Sequence, residues 1–500
     1  MMIMLWLFGV SVVIELLCFF VPAAWRVRKG LAIIAMLISS FLAGAVALWR
    51  PNVFSVLIAL IGLYRAFNSI RVVQERMHEK YLKRATRRSA LVLIALQIVI
   101  GLSWAAWHAW HTTGHLSWAV LAAVQLAVAV MLLGSTIRRL KRTAWPAKLT
   151  HFSDAELPTI SVAIPARNET DDLQACLASL VSSDYPKLEV LVLDDCSQTR
   201  RTPEIIREFA HDGVRFIKGA EPKETWLPKN QAYDRLASEA NGEYILFCGV
   251  DIRFDIGALR QIVGTILERH KKMLSLLPER APEARSRGAL AQAMRYVWEL
   301  VPPRRLFNRP PVLSSCWIIE KQALQKAGGF VAVTRSIVPE AHFAKELAKT
   351  DEYSFMRAGV NPGVSSVKSA SEQRATAIRT RYPQVHRRPE NVLILSFVEA
   401  IFLLTPFVLA IGGYWFNAGS VAVAMATVTI VLLTITYELV ALSTHVSTWW
   451  FGIVALPLMI GYDIGLLHYS MWQYEFSEVD WKGRNVCVPA MHVIPHLPKI

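Results

Sequence analysis

The sequence predicts an α/β domain with a mostly parallel sheet, inserted between two groups of membrane-spanning helices. Hydrophobic residues make up 53% of the chain and charged residues only 19%, and the apolar residues are concentrated in long runs near both ends. This composition is typical of membrane proteins. The polar middle of the chain instead alternates short apolar strands with segments of helical spacing, which is the pattern of a doubly wound sheet.

The apolar runs have about the length needed to cross a bilayer core of roughly 30 Å. They lie at residues 5–25, 31–49, 91–110 and 116–133, with a shorter run at 53–64, and then at 392–415, 421–442 and 449–469. Basic residues cluster at 65–88 and 138–148. The positive-inside rule therefore places the polar middle in the cytoplasm. We expect a multi-pass integral membrane protein, as in a bacterial-type plasma membrane.

The predicted domains follow from these changes in composition. They are an N-terminal transmembrane bundle of about five spans (residues 1–137), a basic linker (138–157), the α/β domain (158–390), a C-terminal transmembrane bundle of two or three spans (391–470) and a tail (471–500). The net charge of +15 is explained by this topology and by attraction to anionic lipid. No nucleic-acid-binding module accompanies it, so nucleic acid is not an expected partner.

Acidic residues follow two of the predicted strands. The strand at 188–193 ends on Asp194 and Asp195, and the strand at 244–247 leads to Asp251. Ligands of such sheets bind outside the carboxyl ends of the strands. A carboxylate there costs desolvation unless it meets a metal ion, a donor group or water. Either position alone is equally well explained as an ordinary loop-opening aspartate, whereas the two together favour a binding site.

Five motifs in a fixed order resemble a known family. They are Val162-Ala-Ile-Pro165-Ala-Arg167-Asn168-Glu169, Glu189-Val-Leu-Val-Leu-Asp194-Asp195-Cys-Ser197, Trp226-Leu-Pro228-Lys229, Gly242-Glu-Tyr-Ile-Leu-Phe247-Cys-Gly249-Val-Asp251 and Gly328-Gly329-Phe330. This set is similar to the family 2 glycosyltransferases. The resemblance implies a GT-A fold, a Rossmann-like mixed sheet. It also implies inverting transfer of a sugar from a UDP- or GDP-linked donor to a membrane-associated lipid or glycan acceptor.

The resemblance also implies which residues bind the donor. Asp194 and Asp195 would hold the base and ribose, a task suited to carboxylates that only accept hydrogen bonds. Pro165, Asn168 and Glu169 would contribute from the preceding motif.

For the diphosphate, the resemblance implies that Asp251 ligates Mg²⁺ or Mn²⁺, since hard divalent cations take oxygen ligands and offset the charge of the leaving group. Lys229 would approach a phosphate, or it is a solvated lysine at the start of a helix. The sequence departs from the family here. A pair of aspartates one residue apart normally ends the fourth strand, and Gly249 replaces the first of them.

The second departure concerns the general base. Family members present Glu-Asp before a helix with apolar residues at fixed spacing, and alignment of that spacing places Glu340 at the base position and Pro339 at the glutamate. A glutamate can deprotonate a hydroxyl within hydrogen-bond reach. Alternatively, Pro339 and Glu340 only open a helix. His342, Asp351 and Glu352 are the other candidates nearby.

Two further segments match the family in part. Arg379-Thr-Arg381-Tyr382 falls where many processive members have Gln-x-x-Arg-Trp, so Arg381 would contact the diphosphate, or the segment is a basic interfacial helix. The tail Val479-Asp-Trp481-Lys482-Gly483-Arg484 resembles an ending common in membrane-bound members. Three full C-terminal spans would place this tail outside. Either one run lies in the interface or re-enters, with Pro406 pointing to 392–415, or the tail is not cytoplasmic.

Two rival functions fit the sequence less well. A degenerate, non-catalytic scaffold or nucleotide sensor is suggested by Gly249 and by the altered Glu-Asp pair. A transporter is suggested by ionisable residues in or near the apolar runs, namely Glu15, Glu399, Glu438 and Asp463.

Overall fold

The structure is a computed structural model. It describes residues 25–49, 53–74, 115–145, 152–281, 310–359, 363–415, 417–443 and 452–486, with isolated residues at 96, 100, 284, 296–297 and 299–301. The predicted spans at 5–25 and 91–110 therefore lie almost wholly outside the described residues. The chain divides into two compact units, residues 1–131 with 401–433, and residues 132–400 with 434–500.

The described helices are α1 (Trp25–Trp49), α2 (Val53–Gln74), α3 (His115–Arg142), α4 (Asp171–Val181), α5 (Arg201–Glu208), α6 (Pro228–Glu239), α7 (Ala258–Glu268), α8 (Lys321–Lys326), α9 (Glu340–Leu347), α10 (Ala370–Gln384), α11 (Pro389–Glu399), α12 (Thr405–Gly412), α13 (Ser420–Ser443) and α14 (Gly452–Phe476). The described strands are β1 (Ile160–Ala166), β2 (Leu188–Asp194), β3 (Val214–Lys218), β4 (Tyr244–Cys248), β5 (Ile252–Phe254), β6 (Met273–Leu277), β7 (Glu279–Arg280), β8 (Cys316–Glu320), β9 (Tyr353–Arg357), β10 (Val364–Ser366), β11 (Asp480–Trp481) and β12 (Arg484–Asn485).

In the first unit, α1 and α2 pack closely because small residues face each other. The Ser40 hydroxyl donates to the Gly62 carbonyl at 3.1 Å, and a Cβ on Gly62 would lie only 3.2 Å from the Ser40 Cα. Small residues of this kind let two backbones approach in the absence of a hydrophobic driving force. Elsewhere in this unit, the Gln125 amide donates to the Ile401 carbonyl at 2.7 Å.

Three of the described helices are long and apolar enough to cross a membrane, namely Trp118–Arg142, Pro389–Gly412 and Ser420–Ser443. They coincide with the predicted runs at 116–133, 392–415 and 421–442. The predicted run at 449–469 forms α14, which is not one of these three. In the second helix a π turn over Ala400–Leu404 precedes Pro406, and this wider turn accommodates the proline, which would otherwise clash with the preceding turn.

The second unit contains a seven-stranded mixed sheet in the order β3-β2-β1-β4-β8-β6-β9. The pairs β1–β2, β2–β3, β1–β4 and β6–β9 are parallel, and only the two pairs of β8 are antiparallel. Helices cover both faces, so the central strands are buried on both sides and their sequences are continuously apolar. The predicted GT-A-like mixed sheet is thereby confirmed.

Candidate functional site

Three strand ends bring the predicted site residues together. Ala166, the last residue of β1, lies opposite Asp194, the last residue of β2, and the Asp195 amide donates to the Ala166 carbonyl at 2.8 Å. β4 is the parallel neighbour of β1 on its other side. The loops after these three strands therefore share one edge of the sheet, where ligands of such folds bind.

The loop after β1 is held by hydrogen bonds to the loop after β2. Asn168 adopts a left-handed backbone conformation with φ of 51°, which asparagine tolerates better than most residues. Its side-chain oxygen accepts from the Gln198 amide at 2.8 Å, and its own amide donates to the Ser197 hydroxyl at 3.0 Å. The pairing of β1 with β4 ends before Pro165. Pro165, which has no N–H group, therefore breaks no hydrogen bond between these two strands.

The two aspartates after β2 have different environments. Asp194 is partly exposed, and one of its oxygens accepts from the Ser197 amide at 3.1 Å. Asp195 is only 3% exposed, and its carboxylate accepts from Arg484 at 2.8 Å. Burial raises the pKa of Asp195, while the charges of Arg484 and Arg167 oppose this rise.

Asp251 lies in the turn between β4 and β5. One carboxylate oxygen accepts from the Ser366 hydroxyl at 2.8 Å. A Cβ on Gly249 would lie 2.4 Å from the other oxygen, a distance that non-bonded atoms do not reach. A side chain at position 249 would therefore require the Asp251 carboxylate to turn away from the position that it occupies here.

Asp251 can hold a divalent cation if other oxygen atoms complete the coordination of the ion. Among the residues that the structure describes, no group of three or more His, Cys, Asp or Glu side chains is placed to hold a metal ion. One protein carboxylate suffices for Mg²⁺ or Mn²⁺ when waters and phosphate oxygens complete the coordination. Asp251 would then hold the ion together with a diphosphate, and the ion would offset the charge of the leaving group.

Restoring the family aspartate should impair this site rather than improve it. We expect Gly249→Asp and Gly249→Ala to push the Asp251 carboxylate aside and to weaken Mn²⁺-dependent nucleotide binding roughly 10-fold. This is the smaller of the losses seen when a group that supports a metal ligand is changed. Titration calorimetry measures this directly. Gly134→Ala is the control, since nothing lies within 4 Å of a Cβ at that position. Unchanged or tighter binding in Gly249→Asp would show that the Asp251 carboxylate can turn without loss of the ion.

Lys229 and Glu340 are brought to the same place from different helices. Lys229 follows the proline that begins α6, and its ammonium lies 5.0 Å from the centre of the Tyr233 ring. Glu340 begins α9 and is fully buried. Desolvation lowers the pKa of Lys229, whereas the carboxylates of Glu340 and Asp251 oppose this shift. The ammonium is therefore within electrostatic range of both acids.

Asn230 holds the segment before Glu340 against the start of α6. Its side-chain amide contacts the carbonyls of Val333 and Ser336 at 2.8 Å and of Thr334 at 3.1 Å, and it is 1% exposed. These bonds satisfy backbone carbonyls that would otherwise be costly to bury. The sequence contains no signal for this role, because the contacts join residues about a hundred positions apart.

Buried aromatic rings form the layer beneath the buried Glu340. Phe247 stacks on Trp317 with ring centres 4.4 Å apart, Tyr233 lies 4.8 Å from Phe247, and Phe330 meets Phe343 edge-on at 5.4 Å. Such offset and edge contacts are the favourable geometries for aromatic pairs. The layer links β4, β8, α6 and α9, so Lys229 and Glu340 project from a rigid base.

The alternative bases lie elsewhere. Asp351 forms an ion pair with Lys271 and its side chain is 91% exposed. Glu352 pairs with Lys272, and the His342 ring contacts the Ala327 carbonyl at 3.1 Å. Glu340 is thus the only one of the four candidates that is fully buried within the site.

Arg381 binds α14. Its guanidinium forms a buried ion pair with Asp463, and the neighbouring Tyr382 amide donates to the Ser470 hydroxyl at 3.1 Å. This face of α10 therefore packs on α14. Arg379, rather than Arg381, is the arginine of this motif whose charge acts on Lys229.

The C-terminal tail folds back onto the loops that follow β1, β2 and β3. Strands β11 and β12 form a short hairpin. Within it Lys482 pairs with Glu169, and Arg484 contacts Asp195 at 2.8 Å and Glu221 at 3.0 Å. The tail motif was recognisable in the sequence, whereas these contacts were not.

Part of the chain is similar in sequence to known glycosyltransferases. Residues 161–327 match the family model "Glycosyl transferase family 2". Glycosyltransferase AglE of Haloferax volcanii is 37% identical over 83 residues, which are 16% of this chain and 27% of that protein. Probable glycosyltransferase YdaM of Bacillus subtilis is 34% identical over 100 residues, 19% of this chain and 23% of that protein. The chain thus spans about a quarter of each of these two relatives.

A solved structure also resembles the chain. It is the mannosyltransferase PcManGT from Pyrobaculum calidifontis in complex with GDP-Man and Mn²⁺, with a TM-score of 0.45 and 17% identity, covering 72% of this chain and 100% of that chain.

Proposed function

Because this chain carries a family 2 glycosyltransferase domain, we propose that the whole protein is a membrane glycosyltransferase. It transfers a sugar from a UDP- or GDP-linked donor to a lipid or glycan acceptor, with inversion at the anomeric carbon. The observation that carries this proposal is that the charges of Asp251 and of the buried Glu340 both act on Lys229.

The proposed chemistry is a single displacement. Glu340 accepts the proton of an acceptor hydroxyl while that oxygen forms a bond to the anomeric carbon, and the bond from this carbon to the diphosphate breaks. Lys229 offsets the charge that develops on the departing nucleoside diphosphate, and a divalent cation held by Asp251 would supply further positive charge there. The products are the glycosylated acceptor, the nucleoside diphosphate and a protonated Glu340.

The nucleoside end of the donor is assigned to the loops after β1 and β2. Asp194 and Asp195 supply acceptor oxygens for the ribose and base, and Asn168 and Glu169 border them. Pro165 stiffens the end of β1 from which this loop starts. Arg381 is not assigned to the diphosphate in this proposal, because it pairs with Asp463.

The membrane arrangement is proposed from contacts within the second unit. The basic end of α3, with Arg139, Lys141 and Arg142, lies beside the domain, where Arg357 donates to the Leu140 carbonyl at 2.9 Å. Basic helix ends mark the cytoplasmic side, so the domain is assigned to the cytoplasm. The acceptor is accordingly a membrane lipid or a membrane-linked glycan.

The same reasoning places the tail. The end of α14 and the hairpin both contact the domain, so the proposal has the chain cross the membrane an even number of times between Pro389 and the hairpin. The helices Pro389–Gly412 and Ser420–Ser443 supply one crossing in each direction. α14 then lies on the cytoplasmic side, against α10.

Metal-dependent nucleotide binding tests the proposal. We expect the purified full-length protein in detergent to bind UDP or GDP with Mn²⁺ or Mg²⁺ at roughly micromolar to millimolar concentrations, the range usual for enzyme substrates. ADP with the same ion is the matched control, because it keeps the diphosphate and changes the base. Absence of UDP and GDP binding with either ion would refute a nucleotide-sugar donor and favour the non-catalytic scaffold.

A further inference from the structure

The C-terminal hairpin covers the loops assigned to the nucleoside. Lys482 reaches Glu169 after β1, and Arg484 reaches Asp195 after β2 and Glu221 after β3. Two cations therefore meet three acids, one from each of three neighbouring strand ends. A surface ion pair alone contributes little, but the side chains of Arg484 and Asp195 are only 10% and 5% exposed.

Arg167 ties the hairpin to the same loops. Its guanidinium donates to the carbonyls of Asp195 at 2.7 Å and Cys196 at 2.6 Å, and also to the Lys482 carbonyl at 3.1 Å. The side chain is 5% exposed. The Arg167 side chain thus joins backbone carbonyls of the loop after β2 to a backbone carbonyl of the hairpin. The ion pair of Arg484 with Asp195 is a second link between the two.

The charges around Asp195 come from each element packed against it. Arg484 of the hairpin and Arg167 of the loop after β1 favour its ionised form, whereas Glu221 beyond β3 and desolvation oppose it. The Cys196 thiol lies beside the same groups, and burial and the nearby acids raise its pKa. Desolvation is the largest effect on Asp195 and raises its pKa, and the two arginines oppose that rise by favouring the charged carboxylate.

We propose that Arg484 is a positioning residue of the donor site, which holds the Asp195 carboxylate ionised and oriented to accept hydrogen bonds from the nucleoside of the donor. This inference rests on the proposed function. It assigns the C-terminal hairpin, from the far end of the chain, to the binding of a nucleoside diphosphate. A carboxylate used in this way must be charged and fixed in direction, and one Arg484 contact supplies both.

The pH dependence of UDP or GDP binding distinguishes this role from a structural one. Removing Arg484 raises the pKa of Asp195 further, so Arg484→Ala should lose affinity at a higher pH than the wild type as the solution is acidified. We expect the midpoint of the pH dependence of nucleotide affinity to shift by about one pH unit. Binding by Arg484→Ala should then be roughly 10-fold weaker than wild-type binding on the acid side and nearly equal to it at alkaline pH. Arg484→Lys keeps the charge and should shift the midpoint less.

Two further variants make the measurement interpretable. Asp195→Asn cannot titrate, so its profile reports the ionisation of the nucleotide itself. Lys482→Ala weakens the hairpin through Glu169 without removing the contact to Asp195, and it should leave the midpoint in place. All are measured as full-length protein in detergent with Mn²⁺, and thermal unfolding checks that each variant is folded.

The outcomes separate the two proposals. If the wild type binds neither UDP nor GDP, the proposed function fails and this inference fails with it. If the wild type binds, an acid-side loss in Arg484→Ala that Lys482→Ala lacks supports the inference. An equal loss at all pH values, an equal shift in Lys482→Ala, unchanged binding or tighter binding would each overturn it.

Discussion

Replacing Asp251 with alanine is expected to abolish metal-dependent nucleotide binding. Asp251 is the carboxylate that we propose as the ligand of the cation, so its loss would remove the proposed link between the domain and the ion. We expect the gain in UDP or GDP affinity caused by Mn²⁺ to fall at least about 100-fold. This is more than the loss usually caused by removing a residue that only supports a metal ligand. Calorimetry with and without Mn²⁺ measures the difference, and sugar transfer should be lost in parallel.

Two milder variants serve as controls for Asp251→Ala. Asp251→Asn keeps the shape of the side chain but removes its charge, and it should be almost as damaging. Ser366→Ala keeps the carboxylate and removes only the hydroxyl that donates to it at 2.8 Å, so the expected loss is roughly 10-fold. Retention of full Mn²⁺-dependent binding in Asp251→Ala would show that the cation is held elsewhere.

The part of the site built on strand ends could be predicted from the sequence. Continuous apolar runs identify strands buried on both faces, and parallel strands place their carboxyl ends at one edge. Once β1 and β2 are recognised, Asp194 and Asp195 must lie beside the loop that begins at Arg167. The position of Asp251 follows in the same way, because β4 is the other parallel neighbour of β1.

The remaining features depend on contacts that local patterns do not encode. Arg484 and Asp195 are 289 positions apart, and no local pattern in the sequence links the tail to the loop after β2. In the sequence, Asn230 is an ordinary residue in the first turn of a helix. Only the structure shows that its side-chain amide donates to the Thr334 carbonyl. Gly249 looks like a lost aspartate in the sequence, and only the structure shows that a side chain there would meet the Asp251 carboxylate.

Glu340→Gln is expected to stop sugar transfer while leaving the donor site intact. The amide has the size of the carboxylate but cannot accept the proton of the acceptor hydroxyl, so the transfer rate should fall by about 10²- to 10⁴-fold, the usual contribution of a general base. Nucleotide affinity should change little, because Glu340 belongs to α9 and not to the loops after β1 and β2. Release of UDP or GDP from the donor in the presence of membrane lipid measures the rate.

The control for this variant lies on the same helix. Glu346 pairs with Lys349 at the surface, and Glu346→Gln should leave both transfer and binding unchanged. Glu340→Asp restores the residue that the family resemblance implies but shortens the side chain, so it should retain more transfer than Glu340→Gln. Full transfer in Glu340→Gln would remove Glu340 as the base. Loss of nucleotide binding together with transfer would instead show that the buried carboxylate serves mainly to hold Lys229, since its charge is what opposes the desolvation of that ammonium.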